Sequence, residues 1–209
     1  MFLLLSIPIG LLIGALFGGK VKNALSVTFS GGYLLALALF LQIFLFSGFG
    51  QAAHLPSGLR ASVHVASYGL LLVFFARNLR ITGMLVICFG MLMNLVAIIA
   101  NGGFMPTTAN TLVKAGFSLT GHTAQDITYN NVIAGDSPLI ALGDVFTIPK
   151  GWPLSNAFSA GDVVVAFGSV LLVATAMSPR SSHNNRSKWA VAKQEDGGIE
   201  LQERLLRRR

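Results

Sequence analysis

Five long apolar runs dominate the first 177 residues and constrain the fold more than any other feature. They have 17 to 20 residues each and occupy positions 1–17, 30–49, 59–76, 81–100 and 160–177. A helix needs roughly 17 to 25 residues to cross a hydrocarbon core about 30 Å thick. The sequence therefore predicts an all-α integral membrane protein with five transmembrane helices.

The composition agrees with a membrane protein. Only 11% of the 209 residues are charged, against roughly 25% in an average soluble domain, and the mean hydropathy is +0.68. The single cysteine, Cys88, excludes an intrachain disulfide and a zinc finger. A net charge of +7 could indicate nucleic-acid binding, but on so apolar a chain it is better explained by membrane topology. We expect lipid contacts and no nucleic-acid partner.

The positions of the basic residues predict the orientation. Lys20 and Lys22 follow the first run, Arg77 and Arg80 connect the third and fourth, and eight more lie in segment 178–209. With the N-terminus outside and five crossings, these 12 of the 15 basic residues are cytoplasmic, as the positive-inside rule requires. The prediction is a multi-pass protein of the bacterial inner membrane. Residues 1–177 form its membrane domain and residues 178–209 a basic, flexible cytoplasmic tail.

Small residues recur along the first run at every fourth position. They are Ser6, Gly10, Gly14 and Gly18. Residues four apart lie on one face of a helix, and small side chains let a second helix approach closely. We expect this face to pack within the chain rather than to form a dimer, because four other spans are available.

The segment 101–159 between the last two runs is expected to form a structured external cap and to carry the function. Loops longer than about 12 to 15 residues are usually functional or disordered, and this one has apolar patches and turn signals rather than a disordered composition. Asp136 followed by Pro138 predicts a short helix through 139–142. The pair Ser159 and Asp162 predicts a capping box that opens the fifth span.

Acidic residues ahead of the tail are confined to the outer segment and its junction with the membrane. A cation site there would use Asp126, Asp136, Asp144, Asp162 and His122. Two of these residues are already explained by helix capping, and no recognised metal-binding spacing is present. Capping and turn formation are therefore the default interpretation, and no metal is predicted.

Polar residues within the runs allow two interpretations. His64 could ligate a haem or a chlorophyll-type pigment, whereas a hydrogen-bonded histidine is the commoner case. Gln42, Asn94 and Tyr68 could bond between helices or mark a path for a polar solute. No GxSxG, P-loop or GxGxxG motif occurs, so the sequence predicts a protein without enzymatic activity.

The order of motifs resembles a bacterial family of small multi-pass membrane proteins defined only as a domain of unknown function. The motifs are Gly18-Gly19-Lys20, His64 with Ser67-Tyr68, Asn78, Asn94, Asn101-Gly102-Gly103-Phe104-Met105-Pro106, Leu142-Gly143-Asp144 with Pro149, and Ser159-Ala160-Gly161-Asp162. The resemblance covers nearly the whole membrane part and implies no activity.

Within that pattern, the expected architectural centre of the outer face is the turn after the fourth span together with the two Gly-Asp pairs. In the turn, Asn101, Gly102 and Gly103 tolerate a left-handed backbone, and Pro106 prevents the helix from resuming. The pairs are Gly143 with Asp144 and Gly161 with Asp162.

Two functions are compatible with these features. The first is an accessory or structural subunit docked to a larger membrane complex, for example a bioenergetic or photosynthetic one. The alternative is a binding or transport protein for a small or lipid-like ligand, held between the cap and the spans. The second function requires a cavity lined by Gln42, His64, Asn94 or Asp144.

Overall fold

The computed structural model describes residues 2–47, 50, 53–119, 131–133 and 137–178. The helices are α1 (Ser6–Leu16, after a 3-10 turn at Phe2–Leu5), α2 (Val21–Leu25), α3 (Gly32–Phe46), α4 (Ser57–Arg77), α5 (Met84–Ala100), α6 (Ala109–Lys114) and α7 (Ala160–Met177). The strands are β1 (Met105–Thr107), β2 (Asn131–Ile133), β3 (Phe146–Ile148) and β4 (Asn156–Phe158). The chain divides into two units, Met1–Ser178 and Pro179–Arg209. The second unit contains the predicted tail, 178–209, except for Ser178, and it lies outside the described residues.

Each of the five apolar runs contains one helix, and the mostly helical character of the chain is confirmed. Helices α4 and α7 are long and apolar enough to cross a membrane, whereas α1, α3 and α5 are apolar but shorter. They are shorter than the runs because, in the described residues, the ends of the runs form a 3-10 helix at Phe2–Leu5, a turn at 30–31 and a bend and turn at 81–83. The count of five crossings stays a prediction.

Contacts link the apolar helices in the order α1, α7, α5, α4, α3. Close approach at glycine explains two of these contacts. A Cβ at Gly10 would lie 2.8 Å from the Cβ of Val173, and a Cβ at Gly90 would lie 2.7 Å from the carbonyl oxygen of Gly161. Helix α7 therefore packs closely against both α1 and α5.

The small-residue face of α1 has three of its four predicted members. Ser6, Gly10 and Gly14 are buried, and both glycines pack against α7 within the chain. Gly18 lies beyond the end of the helix with φ of +75° and no atom within 4 Å of a Cβ built there. The prediction that Gly18 belongs to this face is wrong, because α1 ends at Leu16 and the helical period does not continue beyond it.

The cap, residues 101–159, contains strands that an all-α class does not include. Strand β1 pairs in parallel with β2, and β3 pairs antiparallel with β4. Three-residue strands are too short to produce a readable alternation of polar and apolar residues. The helix predicted through 139–142 is a 3-10 turn at Ile140–Leu142, and its predicted cap, Asp136, lies outside the described residues.

Candidate functional site

The turn after α5 joins the cap to the start of α4. Gly103 has φ of +92°, and a Cβ there would collide with Ala61. Its carbonyl oxygen accepts a hydrogen bond from Nδ1 of His64 at 2.8 Å. Only glycine satisfies both the left-handed backbone and the contact with α4, so Gly103 fixes where the cap begins.

Asn101 ties the same turn to a later part of the cap. Its Nδ2 donates to the carbonyl oxygens of Ala97 and Pro138, at 2.8 and 2.9 Å. Its Oδ1 accepts from Oγ of Ser137 at 2.6 Å. Gly102 has φ of +68° and open space around it. The NGG motif thus organises the cap through its backbone and one amide side chain.

His64 is buried, with 2% of its surface exposed, and packs edge-on against the rings of Phe46 and Tyr68. Because a carbonyl oxygen can only accept, Nδ1 carries the proton that it shares with Gly103. The structure therefore gives this histidine a hydrogen-bonded packing role. Ligation of a haem or pigment stays a prediction, which the absorption spectrum of protein isolated from its native membrane tests.

Gln42 forms an interhelical hydrogen bond. Its Nε2 donates to Oγ of Ser67 at 3.1 Å, and that hydroxyl donates to the carbonyl oxygen of His64 at 2.7 Å. This chain of bonds joins α3 to α4 and fulfils the expected role of an amide in an apolar helix.

A polar cavity of about 360 Å³ lies where the cap meets α4, α5 and α7. Two carboxylates, three amides and one phenol share its wall with apolar side chains. The lining residues are Tyr68, Asn94, Met105, Leu112, Phe117, Asn131, Asp144, Asn156, Ala157 and Asp162. None of these described lining residues is basic. The cavity brings together Asn94, Asp144 and Asp162, whereas Gln42 and His64 do not line it.

Helix α7 presents Asp162 to the cavity through its N-terminal capping box. The amide of Asp162 donates to Oγ of Ser159 at 3.0 Å, and the amide of Ser159 donates to Oδ2 of Asp162 at 3.2 Å. Asn94 links this box to α5, because its Nδ2 donates to Oδ1 of Asp162 and its Oδ1 accepts from Oγ of Ser159, both at 2.8 Å. The predicted capping box is present, and it also orients a carboxylate.

Gly161 makes this arrangement possible. A Cβ at that position would collide with Oδ1 of Asn94 and lie 2.7 Å from the carbonyl oxygen of Gly90. The glycine therefore allows α5 and α7 to approach until the Asn94 amide reaches Asp162.

The backbone of Asp144 is hydrogen-bonded to β1 of the cap. Its amide donates to the carbonyl oxygen of Pro106 at 2.9 Å, and its carbonyl oxygen accepts from Oγ1 of Thr107 at 2.7 Å. A Cβ at the neighbouring Gly143 would collide with the Pro106 carbonyl. The Gly143-Asp144 pair therefore lies directly against β1.

Asp144 is a buried residue, with 7% of its surface exposed. Its Oδ2 accepts from Nδ2 of Asn131 at 2.7 Å, and its Oδ1 has no hydrogen bond within the described part of the chain. Burial and the negative charge of Asp162 raise the pKa of Asp144 to about 7, against the opposing effect of Asn131. This carboxyl group therefore exchanges a proton near neutral pH.

The predicted cation site is only partly described. Asp144 and Asp162 line one cavity, whereas His122, Asp126 and Asp136 lie outside the described residues. Among the residues that are described, no three His, Cys, Asp or Glu side chains are placed to hold a metal ion.

Asn131 and Asn156 were missed by sequence reasoning. Asn131 reaches the cavity because β2 pairs with β1, opposite Met105, and Asn156 because β4 pairs with β3. Met105 and Asn131 lie 26 residues apart, whereas β3 and β4 are close in the chain. Strands of three residues leave no spacing in the sequence that indicates either pairing.

A family model described as a family of unknown function, DUF5317, matches residues 26–174. The match covers well over half of the chain and every residue that lines the cavity. The chain belongs to this family. The resemblance to an uncharacterised family is thereby confirmed, and DUF5317 brings no activity with it. No curated protein and no solved structure matches the chain.

Proposed function

We propose that this DUF5317 member is a multi-pass membrane protein that binds a small polar solute between its cap and helices α4, α5 and α7. The polar cavity at that junction carries the proposal. Ligand pockets are typically concave spaces of about 300 to 1,000 Å³ with a few convergent polar groups. A cavity of about 360 Å³ lies at the small end of that range. We favour binding over catalysis because both carboxylates of the cavity wall already accept hydrogen bonds from asparagine amides.

The membrane setting is proposed from two features. Large apolar side chains on α1 and α3 are exposed, including Leu12, Leu16, Phe40 and Ile43, as a lipid-facing surface requires. Lys20, Lys22, Arg77 and Arg80 mark the end of the helices opposite the cap, where the amide of Lys20 donates to the carbonyl oxygen of Met177. We call this the basic end. Five crossings of a bacterial inner membrane, with the cap outside and the basic end cytoplasmic, agree with the positive-inside rule.

Three solutes of similar size and different charge test the binding proposal. Ethanolamine, ethylene glycol and glycolate are added to the purified protein in detergent, and the unfolding temperature is recorded. At least one solute is expected to raise it saturably, because a ligand that binds only the folded state stabilises it.

Asn156→Leu is the matched test variant. The Asn156 side chain is half-buried and makes no hydrogen bond to other described residues, so an apolar replacement occupies the cavity wall without leaving a partner unpaired. Asn110→Leu makes the same chemical change at an exposed position of α6. We expect binding to survive in Asn110→Leu and to fail in Asn156→Leu. Equal responses of both variants and the wild type to all three solutes contradict the proposal.

A role as an accessory subunit is a second proposal, favoured by α3. This helix packs mainly against α4 and exposes large apolar side chains, such as Tyr33, Leu37 and Phe40. Lipid or a neighbouring subunit would cover them. Isolation from native membranes in mild detergent tests this role, and a lone monodisperse monomer contradicts it.

A further inference from the structure

We infer that the ligand of the cavity is a small organic ammonium ion and that it enters in exchange for a proton on Asp144. This inference rests on the proposed binding function and specifies its ligand class and its pH response.

The chemistry of the wall favours a cation with several donors. Asp144 and Asp162 contribute carboxylates, and the described lining residues include no lysine, arginine or histidine. Asp144 lines the cavity, and its Oδ1 accepts no hydrogen bond from the described residues. An ammonium group carries three N–H donors and no acceptor, so it can satisfy this oxygen and nearby amide oxygens together. An anion such as a carboxylate or phosphate would be repelled.

A hydrated metal ion is a poorer match. Both oxygens of Asp162 already accept hydrogen bonds, from Asn94 and from the Ser159 amide. Oδ2 of Asp144 is engaged by Asn131. The described lining residues offer one carboxylate oxygen without a hydrogen bond and three amide oxygens, fewer than the 6 to 8 oxygen ligands that Ca²⁺ takes. A hydrogen-bonded ammonium requires no such shell.

Exchange of the ligand for a proton follows from the presence of two carboxyl groups in one cavity. The groups that face Asp144 from the packed elements are Asp162 of α7, Tyr68 of α4, Asn94 of α5, Asn131 of β2 and Thr107 of β1. Only one of them, Asp162, bears a charge at neutral pH, and it is negative. Like charges in a buried site favour a proton on one partner, which agrees with the raised pKa of Asp144.

The charge balance of the step is simple. In the empty cavity at mildly acidic pH, Asp144 holds a proton and Asp162 is ionised, so the pair carries one negative charge. When the ammonium ion enters, the O–H bond of Asp144 breaks and its proton passes to solvent. The pair and the ligand together again carry one negative charge, and no other bond changes.

Binding of ethanolamine at different pH tests the inference. Ethanolamine stays protonated from pH 6 to pH 8, so a pH effect reports on the protein. Its apparent affinity is expected to be about tenfold weaker at pH 6 than at pH 8, because a proton competes at a group that titrates near pH 7. In weakly buffered solution below neutrality, nearly one proton should be released per ethanolamine bound. Ethylene glycol and glycolate should bind more weakly.

Two variants test whether Asp144 is the group that releases the proton. Asp144→Asn keeps an oxygen for Asn131 and should abolish both the pH dependence and the proton release. Asp196→Asn makes the same change in the tail segment and should alter neither. The wild-type pH series and proton count remain decisive if Asp144→Asn does not fold.

The outcomes also separate the inference from the proposed function. Ethanolamine binding without pH dependence or proton release overturns the exchange, and a preference for ethylene glycol or glycolate overturns the ligand class. In either case the cavity still binds a solute. If none of the three solutes binds, the proposed function itself is wrong.

Discussion

Two buried asparagines, one at each end of the helices, have opposite kinds of partners. At the basic end, Asn78 bonds only to backbone. Its Oδ1 accepts from the amide of Ser30 at 2.8 Å, and its Nδ2 donates to the carbonyl oxygens of Ser30 and Phe74. At the cap end, Asn94 bonds to the side chains of Asp162 and Ser159. Both asparagines are almost fully buried, at 4% and 1% exposure.

The difference shows how one residue type serves two purposes. An amide whose bonds all go to backbone fixes a turn and leaves the surroundings neutral. An amide that holds an ionised carboxylate next to a cavity creates a polar site. Burial alone therefore does not mark a functional asparagine, whereas ionisable side-chain partners do.

Gly161→Ala should have the largest effect, and it acts at the cap end alone. The added methyl group would collide with the Asn94 amide and press on the Gly90 carbonyl. Overpacking of a closely packed contact costs about 1 to 3 kcal/mol, and displacement of Asn94 also separates it from Asp162. We expect a markedly lower unfolding temperature and loss of ethanolamine binding, measured on the same detergent sample.

Gly69→Ala is the control for that substitution. Gly69 lies in α4, and a Cβ there meets no atom within 4 Å. Alanine should leave ligand binding intact and stabilise the helix by up to about 1 kcal/mol. Equal losses in both variants would mean that the contact between Gly161 and Asn94 is not special.

Replacing each asparagine by alanine tests the comparison directly. Asn78→Ala leaves the buried carbonyl oxygen of Phe74 without its partner, at a cost of about 1 to 3 kcal/mol, and it also removes two part-buried bonds to the backbone of Ser30. It should lower the unfolding temperature without changing the affinity for ethanolamine in the molecules that remain folded. Asn94→Ala should weaken ethanolamine binding at least tenfold. A ligand effect from Asn78→Ala would break the distinction between the two ends.

The sequence predicts the helices and one edge of the cavity, because both depend on residues that are close together in the chain. Apolar runs locate the helices, and the spacing from Ser159 to Asp162 identifies a capping box within one turn. The partner of Asp162 is not predictable in this way, because Asn94 lies 68 residues earlier. The position of Asn131 in the cavity depends on the parallel pairing of β1 with β2. Each of these strands has three residues, too few for a periodic pattern in the sequence.

Asp144→Asn removes a titrating charge at the cap end, and its effect on the unfolding temperature should therefore change with pH. A carboxyl group whose pKa is raised in the folded state, here to about 7, binds more protons folded than unfolded. Stability from this group is therefore present at acidic pH and falls as pH rises from about 4 to about 7. The variant should unfold at a temperature several degrees higher than the wild type at pH 8, and the gap should narrow toward pH 5.

Asn78→Ala supplies the contrast for this pH series. Its partners do not titrate, so its deficit in unfolding temperature should be the same at pH 5 and pH 8. A gap between Asp144→Asn and the wild type that does not change with pH would remove the electrostatic distinction between the two ends.

Gly18 gives the smallest expected effect and tests whether backbone geometry alone shapes the basic end. Its φ of +75° with open space around it indicates a left-handed residue after α1. Gly18→Ala should cost about 1 kcal/mol, and Gly18→Asn less, because asparagine tolerates this conformation. If Gly18 instead belonged to the packing face, the larger asparagine would be the more harmful change. Unfolding temperatures of the two variants decide between these cases, and ethanolamine affinity should be unchanged in both.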